Sequence, residues 1–415
     1  MSIHSAQPNS TLHEPDSSFI PHILLFAIQF VALASPPFRG RRTLFSTAII
    51  ILAVHVHIHP HFTNNVALAQ PFTIAWSYYM NTLAKLLFSH NPGPEFNYWR
   101  MDQPPREALS YTAFSAKKIL WAITLVFNQR GIPWNFQIKH VPSASTTKRA
   151  SFLAKQAFEF LKCFFIADLL FELNTRLFTP PDGRVGWVDS QNLTLRHPDF
   201  RWNFVKAFVF GATPYFMLSM QYAQFAFFAV LFRLSKPEDW PPPFGRLADV
   251  TTVRHFWGKY WHQQLRSMLI SYADALASAL QISKGTTLSS YMKLYVAFGI
   301  SGAFHALSQM KMPCSTNITP VERTFGFFLF FLWQMAAITV EDLVQWAYQK
   351  IGFDIYSRDS MAFRTLTGYV WVVASFWVCL PLVGDTFLRM RIGVVSLLPI
   401  SVMKPFVEMY VPIPP

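Results

Sequence analysis

YMKLYVAFGISGAFHALSQM, residues 291–310, reads as a helix made for lipid with one ionisable group inside it. Its length matches the ~20 apolar residues needed to cross a bilayer. On a helix, Ser301, Gly302, Ser308 and Gln309 share the face of His305. Val296, Ile300, Ala303, Leu307 and Met310 point elsewhere. A histidine here is either a core side chain bonded to a neighbouring helix or part of a working cavity. Ionisable groups are costly inside a membrane and usually line functional cavities, which favours the second alternative. The small residues beside the ring let another helix approach or leave room for a substrate. A neutral imidazole has the form that a general base requires.

The rest of the chain supports a membrane setting. Of 415 residues, 52% are hydrophobic, 17% aromatic and only 14% charged, against the ~25% charged that is usual in soluble domains. Forty-two Phe and 13 Trp are more than one soluble core could hide. The pattern predicts an all-α, polytopic transmembrane protein of about 8–9 spans. They are expected at 19–35, 43–59, 68–88, 152–173, 205–232, 291–310, 323–349, 364–383 and 393–411. Together they form one transmembrane domain over 19–411, after a polar N-terminus at 1–18. Two larger connections, about 89–151 and 233–290, lie between spans. The N-terminus lacks a basic region, so the first apolar stretch reads as a retained span rather than a cleaved signal. Cys163, Cys314 and Cys379 have no C-x-x-C spacing, which implies neither a disulfide framework nor a zinc site.

The formal net charge of +13 does not point to nucleic acid, because no basic face with interleaved aromatics falls on a soluble domain. Lys and Arg instead cluster in PPFRGRRT (36–43), TTKRA (146–150) and both larger connections, as expected of cytosolic loops. The N-terminus, the 60–67 turn, and the 176–203 and 311–322 loops are then lumenal. The three N-x-Ser/Thr sites, Asn9, Asn192 and Asn317, all fall on that side, although Pro320 stands close to the third. They predict a glycoprotein of the endoplasmic reticulum or an adjoining endomembrane.

RHFWGKYWHQQLR (254–266) packs charges, aromatics and two histidines into the second connection. If it is helical, Trp257 and Trp261 stack on one side. His255, Gly258, His262 and Arg266 then line an adjoining face. The following segment has Leu265, Met268, Leu269, Tyr272, Leu276, Ala279 and Leu280 on one side, a helical period expected at a membrane surface. Aromatic anchoring explains Trp, Tyr and Arg, but not two histidines in eight residues. A basic, aromatic mouth suits a soluble, phosphate-bearing anion whose reactive end enters the membrane. Arg254, Lys259 and Arg266 supply the charge-assisted partners. NQRGIPWNFQIKHVP (128–142), in the first connection, sets a turn at Gly131 and Pro133, with Trp134 suited to an interfacial depth.

HVHIHPH (55–61) resembles a zinc cluster, with His55, His57, His59 and His61 at ligand-like spacing. Pro60 breaks the helix that this would need, and no nearby acid or cysteine completes a set, so an interfacial helix end without metal is expected. Gln334, Glu341 and Asp342 either border a cavity or mark the cytosolic end of their span. The sequence contains no G-x-S-x-G elbow, phosphate-binding loop, H-x-x-x-D or glycine-rich dinucleotide fingerprint, which weakens hydrolase, NTPase and soluble acyltransferase readings.

EDWPPPFGRLADVTTVRHFWGKYWHQQLR (238–266), followed by FGISGAFHAL (298–307), resembles the wax-synthase-like branch of the membrane-bound O-acyltransferases. NQRGIPWN resembles the upstream stretch of the same branch. The resemblance runs through most of the chain from about residue 70, and its most specific part is the pair of histidines. Thr252-Val253 stands where Ser-Leu is usual, a conservative departure.

The resemblance implies a membrane-bound O-acyltransferase fold in which His305 is the catalytic base and His262 orients the reacting groups. Acyl-CoA is the co-substrate, with no bound cofactor, no metal and no covalent enzyme intermediate. It enters from the cytosol past Trp257, Trp261, Arg254, Lys259 and Arg266. Ser301, Gln309, Gln334 and Glu341 are further candidate contacts for the substrates. The acceptor is a lipophilic alcohol arriving from membrane lipid, and fungal members of the branch acetylate terpenoid and meroterpenoid alcohols. A long-chain wax or sterol ester synthase is the alternative within the class. A multi-span transporter is the alternative outside it, but neither inverted repeats nor paired broken helices are clear.

Overall fold

The computed structural model describes residues 12–144, 146–178, 193–316, 318–351, 358–390, 392, 398 and 400–413. The sequons at Asn9, Asn192 and Asn317 lie outside the described residues. The described residues are mainly helical and contain no strand; an isolated bridge joins Arg100 to Trp134. In chain order the α-helices are α1 (Ile20–Ala34), α2 (Arg41–Ile58), α3 (Val66–Ala69), α4 (Trp76–Leu87), α5 (Pro94–Asn97), α6 (Ala116–Phe127) and α7 (Arg149–Leu177). They continue with α8 (Phe200–Leu231), α9 (Val253–His255), α10 (Arg266–Ala279), α11 (Thr287–Ser308), α12 (Pro320–Lys350), α13 (Arg358–Arg389) and α14 (Lys404–Tyr410).

Among the described residues, three helical stretches, Arg41–Ile58, Pro320–Lys350 and Ala362–Arg389, are long and apolar enough to cross a membrane. Their outward faces carry exposed Ile51 and Ile58, Leu343 and Trp346, and Leu366 and Val370. Such stripes are a liability in water and suit lipid. Two expected spans are not single helices. The 68–88 stretch is broken into α3, a tight turn at Gln70–Thr73 and α4, because Pro71 has no N–H for a continuing ladder. Over 393–411, the described residues 400–403 are not helical and α14 begins only at Lys404. The buried Asp168 carboxylate accepts from the backbone N–H of Val402 at 2.7 Å and Met403 at 2.9 Å, supplying donors' partners that a helix would otherwise provide.

The described residues divide into two compact units, one within Val141–His262 and Ser315–Pro415, the other formed by Leu12–His140 and Gln263–Cys314. In the first unit α7 and α8 pack antiparallel. Arg149, at the start of α7, donates to the carbonyls of Val230 and Leu231 at the end of α8, and Asn174 meets Thr213 at 3.1 Å. Helices α12 and α13 also run antiparallel, since Trp333 bonds Ser375 and Trp371 bonds Glu341. A capping box starts α12: Thr319 Oγ1 accepts from the Glu322 N–H, and Glu322 accepts from the Thr319 N–H.

In the second unit α1, α2, α4 and α6 close around Trp76, Trp121, Trp134, Leu33 and Ile49. Trp134 is 1% exposed and packs against Trp121 and Phe136, so it belongs to the core rather than to an interface. The turn before it is as expected, with Gly131 at φ +68°. A buried ion cluster fixes the first connection: Glu95 accepts from Arg41 and from Lys118, each at 2.7 Å. Burial pulls the Lys118 ammonium below its ordinary range, and the charge of Glu95 opposes that shift. Segment 266–279 is helical as expected, but α10 buries Met268, Ala273 and Ala277 against its own unit and leaves Leu276 and Leu280 exposed.

Candidate active site

The cassette does not continue as one helix. Thr252 caps α9 by accepting from the His255 N–H at 2.9 Å. One turn later the coil widens into a π-helical turn at Phe256–Tyr260, closed by the Trp261 N–H on the Phe256 carbonyl at 2.8 Å. Trp261 then leaves the helix in an extended conformation, with ψ 123°. Wide turns of this kind are frequent at functional sites. Trp257 and Trp261 still meet edge to face, with ring centroids 6.3 Å apart. The expected common face of His255, Gly258, His262 and Arg266 is not formed, because the helix ends before His262.

The helix ends there because of its neighbours. The Gly245 N–H donates to the Tyr260 carbonyl at 2.9 Å, bringing the PPPFG backbone against the turn. A Cβ at Gly245 would lie 3.1 Å from Tyr260 Cα and still closer to the Lys259 carbonyl oxygen. The Gly245→Ala variant is therefore expected to lose about 1–3 kcal/mol of stability, the usual cost of overpacking. Its unfolding midpoint in detergent checks this, and an unchanged midpoint would show that the two backbones can separate freely.

Helices α12 and α13 clasp the cassette along its length. Glu341, 7% exposed, accepts from the N–H groups of Val253 at 2.5 Å and Arg254 at 3.1 Å, and from the Trp371 indole at 2.7 Å. A carboxylate facing the first amides of α9 satisfies donors that the short helix cannot. Gln334 accepts from the Trp257 indole at 3.0 Å and donates to Cys379 Sγ at 3.1 Å, which fixes the plane of Trp257. Arg254 pairs with Asp342, and the Tyr369 hydroxyl donates to the Ala248 carbonyl at 2.6 Å. At Gly368, α13 is bare enough for the Thr251 backbone to rest on it. Phe256 packs on Phe376 at 4.5 Å, and Phe244 gathers Tyr215, Tyr260, Trp261 and His262 around itself.

The basic members are more exposed. Lys259 Nζ approaches His255 Nε2 at 3.3 Å. Burial, then the charge of Lys259, lowers the affinity of His255 for a proton. Burial pushes the Tyr260 phenol up to about 12, keeping it neutral. This unit thus brings together Trp257, Trp261, Arg254, Lys259, Gln334, Glu341 and His262.

The other unit holds His305, Ser301, Gln309 and Arg266. His305 is half-buried on α11, its ring meeting the Trp76 edge to face at 5.3 Å. Phe304 stacks on the same indole at 5.2 Å and also touches His57 and Tyr79. Ser301, Gly302, Ala306, Ser308 and Gln309 are all buried in this unit. Gln309 donates to the His305 carbonyl at 3.2 Å. Arg266 donates to Gln263 at 3.0 Å, and burial lowers its affinity for a proton.

The HVHIHPH histidines pack locally: His57 bonds the Tyr79 hydroxyl at 2.7 Å, His61 bonds the Thr63 carbonyl at 3.0 Å, and His55 faces His59. The described residues include no group of three or more side chains placed to hold a metal. No motif in the sequence marks Gly245, Gly368, Tyr369 or Trp371, although each contacts the cassette segment or its anchor Glu341. The signals the sequence does carry are the glycine ending a proline run and the glycine inside an otherwise bulky span.

Known proteins resemble this chain over both halves. Residues 240–333, which include the whole cassette and His305, match the membrane bound O-acyl transferase family. Residues 148–231 match the C-terminal domain of aspirochlorine biosynthesis protein F. The chain is 38% identical to aspirochlorine biosynthesis protein F of Aspergillus oryzae over 236 residues, 56% of this chain and 92% of that protein. It is 28% identical to acetyltransferase sirH of Emericella nidulans, over 86% of this chain and 80% of the relative. With acetyltransferase ple2 of Rhodocybe pseudopiperita the identity is 29%, over 86% and 88%. The chain is a membrane protein and an acyltransferase, and it belongs to the membrane-bound O-acyltransferase family, among the relatives of fungal secondary metabolism.

Proposed function

We propose that the protein transfers an acetyl group from acetyl-CoA to the hydroxyl of a lipophilic secondary metabolite, terpenoid or meroterpenoid in type. The observation that carries this is the clasped cassette. Glu341, Gln334 and Trp371 spend their hydrogen bonds on fixing one aromatic, basic segment in place, as a preorganised binding surface requires. The names of the relatives support acetyl as the acyl group.

In this mechanism Trp257 and Trp261, with Arg254, Lys259 and Arg266, receive acyl-CoA, and Ser301 and Gln309 border the acceptor. His305 takes the hydroxyl proton as the oxygen attacks the thioester carbonyl. The carbon–sulfur bond breaks, and the thiolate leaves with that proton. His262 steadies the thioester or its developing charge by a hydrogen bond. Membranes given labelled acetyl-CoA are expected to form labelled ester only when a hydroxylated lipophile is added, without ATP or added metal. Strict dependence on ATP or zinc would sink the mechanism.

The proposed setting is the endoplasmic reticulum, with about 8–9 spans, the cassette cytosolic and the N-terminus and 176–203 loop lumenal. Support comes from loop charge. A Gly258→Cys probe should react with an impermeant maleimide in sealed microsomes; reaction only after permeabilisation would invert the topology.

A further inference from the structure

Within the unit that carries His305, a small cavity lies between α1, α2 and α4, lined by Lys311, His22, Trp76, Gln29, Tyr79 and otherwise aromatic or aliphatic side chains. Two of its polar groups are already satisfied. Gln29 donates to the Leu25 carbonyl and accepts from Thr82, and Tyr79 is bonded to His57. Three others converge without such partners among the described residues. Lys311 is 2% exposed, and no carboxylate lines the cavity beside it. His22 Nε2 and Trp76 Nε1 are buried with no hydrogen-bond acceptor or donor opposite them.

Burying an ammonium without a counter-charge, and an indole N–H without an acceptor, is expensive. Burial lowers the Lys311 ammonium from its ordinary range to about 8. A cation, an indole N–H and an imidazole converging on a space this small are complementary to a single oxygen acceptor. Trp76 lines this cavity and its ring also packs edge to face on His305, so the cavity and the candidate base share one side chain. None of these three residues belongs to the histidine-and-cassette pattern.

We propose that Lys311, His22 and Trp76 form a specificity pocket for a carbonyl or carboxylate oxygen of the acceptor, which is therefore an oxygenated lipophilic alcohol rather than a plain one. Naming the acceptor rests on the acyl-transfer reading above; the pocket itself does not.

The test uses the full chain in detergent with three probes that carry no hydroxyl: cyclohexanecarboxylate, cyclohexanone and methylcyclohexane. At saturating concentration an oxygen-bearing probe should raise the unfolding midpoint by about 3 °C, and methylcyclohexane should not. A response to carboxylate identifies an anionic acceptor oxygen; a response to the ketone alone identifies a neutral carbonyl. Lys311→Met should abolish the shift, and His22→Phe, which keeps the ring packing against Phe62 and Phe72, should reduce it. If Lys311→Met does not fold, His22→Phe decides. Equal shifts from all three probes, no shift from any, or a full shift in the folded variants overturns the pocket.

Because none of these probes can be acylated, the result does not depend on turnover. A positive shift in a protein that acylates no alcohol would sink the transfer reading and leave the pocket standing. With turnover in hand, Lys311→Met should raise KM for hydroxycyclohexanone or hydroxycyclohexanecarboxylate about tenfold or more relative to cyclohexanol, the scale of a lost hydrogen bond to a charged group. An equal change for all three alcohols would overturn the assignment.

Discussion

Replacing His305 by alanine or by asparagine is expected to lower kcat by about 10²–10⁴-fold, the usual contribution of a positioned general base. Neither substitute offers a nitrogen that accepts a proton near neutral pH. The ring is held edge to face against Trp76, with Phe304 stacked on the same indole, so the substitution also removes a packing contact. Size-exclusion profiles in detergent separate loss of chemistry from loss of fold. KM for the alcohol should change much less than kcat, because proton removal belongs to the transition state. A His305→Asn protein of ordinary activity would remove the base from this residue.

His262 should behave differently. It sits beyond the π-helical turn, with its ring near Phe244 and Trp261, outside any helix. If it steadies the thioester or its developing charge by donating a hydrogen bond, asparagine can donate a similar one. His262→Asn should then keep measurable activity, whereas His262→Ala should lose about 10²–10³-fold, the scale of removing one oriented donor. The opposite order, with His262→Asn dead and His305→Asn active, would reverse the two roles.

Much of this protein was legible from pattern alone. A chain 14% charged with repeated apolar stretches cannot hide its surface in water, and most of the expected spans coincide with helices. The family was legible in the cassette and FGISGAFHAL because both are local strings. What depended on tertiary partners was not legible. The π-helical turn follows from the backbone of Gly245 meeting Tyr260, a contact that no period in the sequence encodes. Glu341 left two alternatives open in the sequence; its bonds to Val253, Arg254 and Trp371 make it the anchor of the cassette. Trp134 looked interfacial because tryptophan favours that depth, yet its ring is core. A lysine just past a span normally marks the water boundary, and only the fold turns Lys311 inward.

The most direct measurement is to follow free CoA thiol and acceptor ester together, using purified protein, acetyl-CoA and an oxygenated lipophilic alcohol. The wild-type protein should release one thiol per ester formed, and both signals should fall by about 10²-fold or more in His305→Asn. Thiol released without alcohol, or ester formed equally well by His305→Asn, would contradict direct transfer with His305 as the base.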